Sequence, residues 1–242
     1  MDFSRRSLFV SLLISLLIFS SFAAVGQEST NQAGTTVLAT VNGEEITQQE
    51  LSQASQVQQI VMTLSRQFRS FSQFLMTSEA GQNFLSEYRK YVLDQLINQK
   101  LTVQKVEELG INVSDQAVQE EITKIVEENQ QFSDKSDLEG YLKDNQNMTL
   151  ENLKTRIREN LKTQKLRERV TDKVTVSEEE VEAFYNQNKQ SYTDQEGNVR
   201  PLDEVSDQVR NTVRSQKQNE AYNQWLQEER KKADIEKNLD QM

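Results

Sequence analysis

Apolar residues recur at alternating three- and four-residue spacings from Ala54 through Val57, Val61, Leu64, Phe68 and Phe71 to Leu75. That pattern predicts one long amphipathic helix with a single buried stripe, which Ser78 to Gly81 then interrupts. Upstream, Val37, Ala39 and Val41 alternate with Leu38 and Thr40 before Asn42-Gly43, a strong two-residue hairpin signal, with Glu44 to Ile46 as the return strand. Thr47 followed by Glu50 forms a capping box at the start of the first helix, because hydroxyl and carboxylate can each satisfy a free backbone N–H. A second long helix is predicted from Gln82 to Leu109, with Phe84, Tyr88, Val92, Leu96 and Leu93, Ile97, Leu101 giving a broad apolar face and Gly110 ending it.

Helix-start signals punctuate the remainder. Ser114 is placed to cap a helix from Asp115 to about Asn129, Ser136 with Glu139 a short one ending near Asp144, and Thr149 one reaching about Asp172. Ser177 and Glu180 repeat the capping box for a helix from Glu178 to about Gln190. Asp194-Gln195-Glu196-Gly197-Asn198 reads as a turn, and Pro201 suits the start of a last helix whose buried side runs Val205, Val209, Val213, Ala221 and Trp225. Ala233-Asp234-Ile235 can add a short strand. The predicted class is all-α with a small β-hairpin near the N-terminus, joined at most by that C-terminal strand.

Composition supports this picture: seven Gly and one Pro in 242 residues leave few breaks for helices. It also removes chemistry. No His and no Cys means no imidazole base, no thiol nucleophile and no zinc or haem site built on those ligands. A net charge of −10 opposes wrapping of nucleic acid, so none is expected as a partner. No cofactor or metal is implied.

At the N-terminus, Arg5 and Arg6 precede the apolar run Leu8 to Phe22, followed by the small residues Ala24-Val25-Gly26. This reads as a secretory signal over residues 1–26, whose cleavage takes the charge from −10 to −11 by removing Asp2, Arg5 and Arg6. An uncleaved anchor of about 20 residues and a twin-arginine route are alternatives. Residues 27–36 read as a polar, disordered tether and 236–242 as a disordered tail.

Val92-Leu93-Asp94-Gln95-Leu96-Ile97-Asn98-Gln99-Lys100-Leu101, followed by Glu108-Leu109-Gly110-Ile111-Asn112-Val113-Ser114-Asp115, resembles the SurA/PrsA family of extracytoplasmic chaperones. Val41 to Thr47, Met148 to Leu153 and Val176 to Tyr185 resemble further segments of that family in the same order, so the likeness spans residues 37–235. In such proteins a parvulin isomerase domain follows the last of these. Here Pro201-Leu202-Asp203-Glu204-Val205, similar to the family's returning helix, arrives after the nine residues from Tyr192 to Arg200, far fewer than the ~40 a stapled domain needs. With His absent as well, no catalytic residue is carried over and prolyl isomerisation is the least favoured activity.

What the resemblance implies is a SurA N-terminal-like helical domain over residues 37–235, with 192–200 in place of the parvulin domain, acting outside the cytoplasm. It would serve as an ATP-independent holdase for unfolded or partly folded exported and envelope proteins. A structural or assembly protein of the cell envelope is the alternative. The candidate client surface is Phe68, Phe71, Phe74, Met76 and Phe84, because Phe and Met make adaptable contacts with unrelated chains. Within it, Phe68, Phe71 and Leu75 continue the core stripe and are expected inside, whereas Phe74 and Met76 fall off the stripe and are expected outside. Residues 149–173 carry net charge +4 and 114–145 carry −6. That contrast points to attraction between neighbouring helices or to contact of 149–173 with an anionic membrane surface, as would an uncleaved signal.

Overall fold

Asn42 and Gly43 both adopt positive φ, 51° and 83°, so the chain reverses in two residues and pairs β1 (Val37–Val41) with β2 (Glu44–Thr47) in antiparallel register, Val41 opposite Glu44. The computed structural model describes residues 36–129 and 131–241; the expected export signal and nearly all of the tether lie outside them. A third strand, β3 (Ile235–Lys237), lines up antiparallel on the other edge of β1, giving the order β2-β1-β3. The strand falls two residues later than Ala233-Asp234-Ile235, and a 3₁₀ turn at Leu239–Gln241 follows it where a disordered tail is expected.

The described residues form two compact units: residues 36–165 with 233–241, and residues 166–232. In the first, the capping box works as read from the sequence: Glu50 N–H donates to Thr47 Oγ1 and Thr47 N–H to Glu50 Oε2. It opens α1 (Gln48–Ser55). The single long helix does not form. Gln56 takes a left-handed conformation at φ 48° and Phe68 an irregular one, so α1 is followed by α2 (Val57–Gln67) and α3 (Arg69–Thr77). Each break changes the chain's direction and lets α2 pack on α3, and α3 on α4 (Glu79–Glu108), which begins at the Ser78 cap. A non-glycine residue in the left-handed region costs ~1 kcal/mol, small beside the burial of Val57, Leu75 and Leu85 that the folded-back hairpin gains.

Helix α4 runs the length of this unit, burying Val92, Leu93, Ile97 and Leu101, and ends at Gly110, φ 61°, with Ile111 N–H reaching back to the Val106 carbonyl. Gln104 ties it to the sheet, donating from Nε2 to the Val41 carbonyl at 3.0 Å and to Glu44 at 2.7 Å, while accepting from Asn42. Then α5 (Asp115–Glu128), α6 (Lys135–Gln146) and α7 (Leu150–Thr171) close a second core around Ile122, Leu138, Leu142, Leu153 and Ile157. The start of α6 differs from expectation. Asp134, not Ser136, is its cap, because the Asp134 carboxylate reaches the N–H groups of Ser136 and Asp137 while Asp137 takes the Ser133 N–H.

The basic character of α7 is met within the unit. Arg158 pairs with Asp115 of α5 at 2.6 Å, Lys165 donates to the Asn112 carbonyl, and Lys154 and Lys162 pair with Glu151 and Glu159 one turn away. Among the described residues no helix is long and apolar enough to cross a membrane.

In the second unit α8 (Glu178–Gln187) packs on α9 (Leu202–Lys232) around Val181, Tyr185, Val205, Val209 and Val213. Between them a 3₁₀ turn (Lys189–Ser191) leads into a tight loop, closed by a bridge between Thr193 and Val199 and by Asp194 accepting from the N–H groups of Glu196 and Asn198. Residues 192–200 are thus a complete turn, and the Tyr185 hydroxyl donates to the Arg200 carbonyl at its foot.

Glu180 does two things here. One oxygen accepts the Ser177 N–H in the cap of α8, and the other takes Lys217 from α9. Lys217 first, and the Ser177 N–H second, hold the Glu180 carboxyl below its ordinary value against a smaller opposing effect of desolvation. A lowered carboxyl stabilises the fold above the unfolded value and loses that contribution as pH falls through the folded one. The link from α8 to α9 should therefore persist at neutral pH and fail only as pH falls below the ordinary glutamate range. The amide chemical shift of Ser177, whose N–H donates to Glu180, should follow this loss as pH falls, and Glu180→Gln should diminish that response.

Candidate functional site

The inner face of α3 is Ser72 and Leu75, both buried, rather than Phe71 and Leu75. Ser72 Oγ meets Ser65 Oγ at 2.6 Å, stitching α3 to α2. Once that pair points inward, Phe71 and Phe74, one turn apart, share an outward face, and their rings lie stacked with centroids 6.4 Å apart. On α4 the inward positions are Gly81, Leu85 and Val92, which turns Phe84 out.

The candidate surface is accordingly exposed throughout: Phe68 is 60% accessible, Phe71 51%, Phe74 47%, Met76 52% and Phe84 60%. For Phe74 and Met76 this is as expected. For Phe68 and Phe71, expected inside, and for Phe84, read as part of the apolar face of its helix, it is a correction. The physical reason is the pair of breaks. A stripe drawn through an unbroken helix assigns phase continuously, whereas Gln56 and Phe68 reset it, and Phe68 itself stands at the corner between α2 and α3.

Of these side chains Met76 lines a cleft of about 740 Å³ between α2, α3 and the start of α4, while the four Phe residues lie on the same helices outside its lining. Its floor is Val57, Leu75 and Leu85; Met62 and Met76 stand on its walls; Gln58, Gln82 and Arg89 supply polar groups. Tyr88, one residue from Arg89, donates to the Ser55 carbonyl and pins α4 to the end of α1. The arrangement is an aliphatic, thioether-lined recess with amide and guanidinium groups at its margin, suited to holding a chain segment by burial plus a few hydrogen bonds. Among the described residues no three acidic side chains converge to hold a metal ion.

Ile60 and Met62 on α2 and Tyr91 on α4 are further exposed apolar side chains of the same helices, Met62 lining the cleft, and are absent from the sequence-based set. Their signal was present. Ile60 and Met62 fall beside the stripe marked by Val57, Val61 and Leu64, the same criterion that selects Phe74 and Met76. Arg89 carries no such signal, since a lone basic residue on a helix is ordinarily solvated surface.

A family model described as the SurA-like N-terminal domain matches residues 1–167. Foldase protein PrsA of Clostridium botulinum strain Hall is 28% identical over 194 residues, covering 79% of this chain and 56% of that protein. Foldase protein PrsA of Clostridium kluyveri is 28% identical over 193 residues, covering 77% and 56%. The chain thus spans little more than half the length of these relatives. Among solved structures, one from work on the virulence factor PEB4 and the periplasmic protein Cj1289, two structurally related SurA-like chaperones of Campylobacter jejuni, superposes with a TM-score of 0.57. That match covers 84% of this chain and 98% of the other at 16% identity, a likeness of fold.

Proposed function

The chain belongs to the SurA-like N-terminal domain family, and from that premise we propose that it is an extracytoplasmic chaperone that holds unfolded or partly folded exported polypeptides without ATP and without chemistry of its own. The observation that carries the reading is the number of exposed Phe and Met on α2, α3 and the start of α4, the helices that form one apolar cleft lined by Met62 and Met76. Scattered single apolar residues are normal on a protein surface; a contiguous set rimmed by polar groups marks a binding site. Phe68, Phe71, Phe74, Met76 and Phe84 are assigned to client contact. Flexible thioethers and broad rings suit many sequences rather than one, which favours general holding over fixed assembly. The absence of a glycine-rich phosphate loop and of His from the sequence, and the short turn at residues 192–200, favour a binder over an ATPase or an isomerase.

The test is suppression of aggregation of several unrelated, chemically unfolded proteins by the full chain, with and without ATP. Comparable suppression of all of them, unchanged by ATP, is expected. Activity toward one protein alone, with a stable complex of fixed stoichiometry, would replace the holdase by an assembly factor.

A further inference from the structure

No Asp or Glu occurs from Leu51 to Ser78, although the chain as a whole carries 38 of them and a net charge of −10. The helices that build the cleft are therefore the least acidic part of an acidic protein. The cations there are Arg66 in the last turn of α2, Arg69 at the first position of α3 and Arg89 on the cleft wall. Arg66 stands one helical turn beyond the cleft residue Met62, and Arg69 lies across the α2–α3 corner from it. Among the described residues none of the three side chains has an acidic partner or a hydrogen bond, a condition they share with Lys135, Lys143 and Arg156 of the same unit, while Lys100, Lys124, Lys154, Arg158, Lys162 and Lys237 pair with carboxylates. Helix α4 adds Glu79 and Glu87 near the cleft, and Glu87 is engaged by Lys90.

One unpartnered guanidinium on the wall of an apolar recess and two more at the α2–α3 corner beyond it are complementary to a ligand segment that is apolar at its centre and anionic in its flanks. Guanidinium is weakly hydrated and presents a planar fork of donors that matches a carboxylate, so these groups can bind side-chain carboxylates without heavy desolvation cost. At an ionic strength of ~0.1 M the screening length is about 10 Å. The charges bordering the cleft then outweigh the acidic remainder of the chain. A flat lipid surface fits less well. The floor residues Leu75 and Leu85 are recessed and buried, reachable by side chains of an extended segment, and three free arginines fall below the 4–8 basic residues of a typical anionic-lipid site.

We infer that the cleft selects segments of unfolded polypeptide in which apolar residues are flanked by Asp or Glu, with Arg66, Arg69 and Arg89 as the carboxylate anchors. This rests on the reading of the cleft as the client site. It adds a charge preference that the apolar surface alone would not impose.

The experiment compares binding of the full chain to three fluorescent peptides with one shared Phe-rich core and flanks of Asp/Glu, Ser/Gln or Lys. The acidic-flanked peptide should bind about tenfold more tightly than the Lys-flanked one at low salt, the sum expected of two or three exposed ion pairs. That gap should close at high salt. It should also close in the Arg66→Gln/Arg69→Gln/Arg89→Gln variant and narrow in Arg66→Gln/Arg69→Gln, whose changes are confined to exposed positions, with circular dichroism unaltered in both. Equal binding of all three peptides would overturn the charge preference while leaving the client site standing; binding of none would overturn the client site itself. Tighter capture by phosphatidylglycerol vesicles than by the acidic peptide, lost in the same variants, would assign the surface to lipid and also overturn the proposal.

Discussion

Replacing Phe68, Phe71, Phe74 and Met76 together by Ser should abolish most of the suppression of client aggregation while leaving thermal stability almost unchanged. Burying a Phe or Met side chain from water stabilises a contact by about 1.5–3 kcal/mol. Even partial coverage of four such side chains by a client would then make the loss roughly a hundredfold in affinity. Because these side chains stand exposed and carry little of the fold, folding stability should shift by no more than about 0.5 kcal/mol per site. Leu75→Ser provides the contrast. That residue is buried between α3 and α4, and its truncation should cost folding ~2–5 kcal/mol. The decisive measurement is light scattering of an unfolded client beside a melting curve of each variant. Undiminished suppression by the quadruple variant would remove these residues from the site.

Gly81→Ala should be more damaging than its chemistry suggests. Alanine is ordinarily the better helix former by ~1 kcal/mol. At this position, however, a Cβ would lie 2.4 Å from the Phe74 carbonyl oxygen and 2.5 Å from the Leu75 Cα, both backbone atoms that cannot swing aside. Helix α3 and helix α4 approach each other there with Ser78 alone between them. The clash can be relieved only by moving α3 off α4, an overpacking cost of about 1–3 kcal/mol that should be spent locally. Hydrogen exchange should accelerate across α2 and α3 while α5 to α7, with their own core, keep their protection. Client binding should fall with it, since the cleft loses a wall. Uniform exchange across the unit would mean that the cleft helices are not separately mobile.

Most of the framework was legible because it is written in short-range chemistry. Thr47 with Glu50, Ser114, Thr149, and Ser177 with Glu180 all cap the helices assigned to them, and Asn42-Gly43 makes its hairpin. Each is a bargain between side chain and backbone settled within a few residues. The breaks at Gln56 and Phe68 are of another kind. Neither position has Gly, Pro or a side-chain cap, and the chain turns there because the folded-back α2 and α3 bury Val57 and Leu75 against α4. Such a contact is invisible to a pattern drawn along one helix, so the same stripe that placed Leu75 correctly misplaced Phe68 and Phe71. The off-stripe residues Phe74 and Met76 were legible because an apolar side chain beside a satisfied stripe has no reason of packing to be there. The three free arginines were not, because only the folded arrangement of the helices decides which cations lack partners.

Strand β1 has neighbours from opposite ends of the chain: β2 joins it through a two-residue turn, while β3 arrives after both compact units have been traversed. The Asp234 N–H that accompanies β3 donates to Asn42, 192 residues earlier. A polypeptide synthesised from its N-terminus would complete the hairpin and all its helices before it could cover the far edge of β1. Until Ile235–Lys237 appears, that edge keeps unpaired N–H and C=O groups, the kind of template on which other strands add. Completion of this sheet is therefore among the last events of the protein's own synthesis, and a chain built this way passes through a stage in which one strand edge is open to other strands.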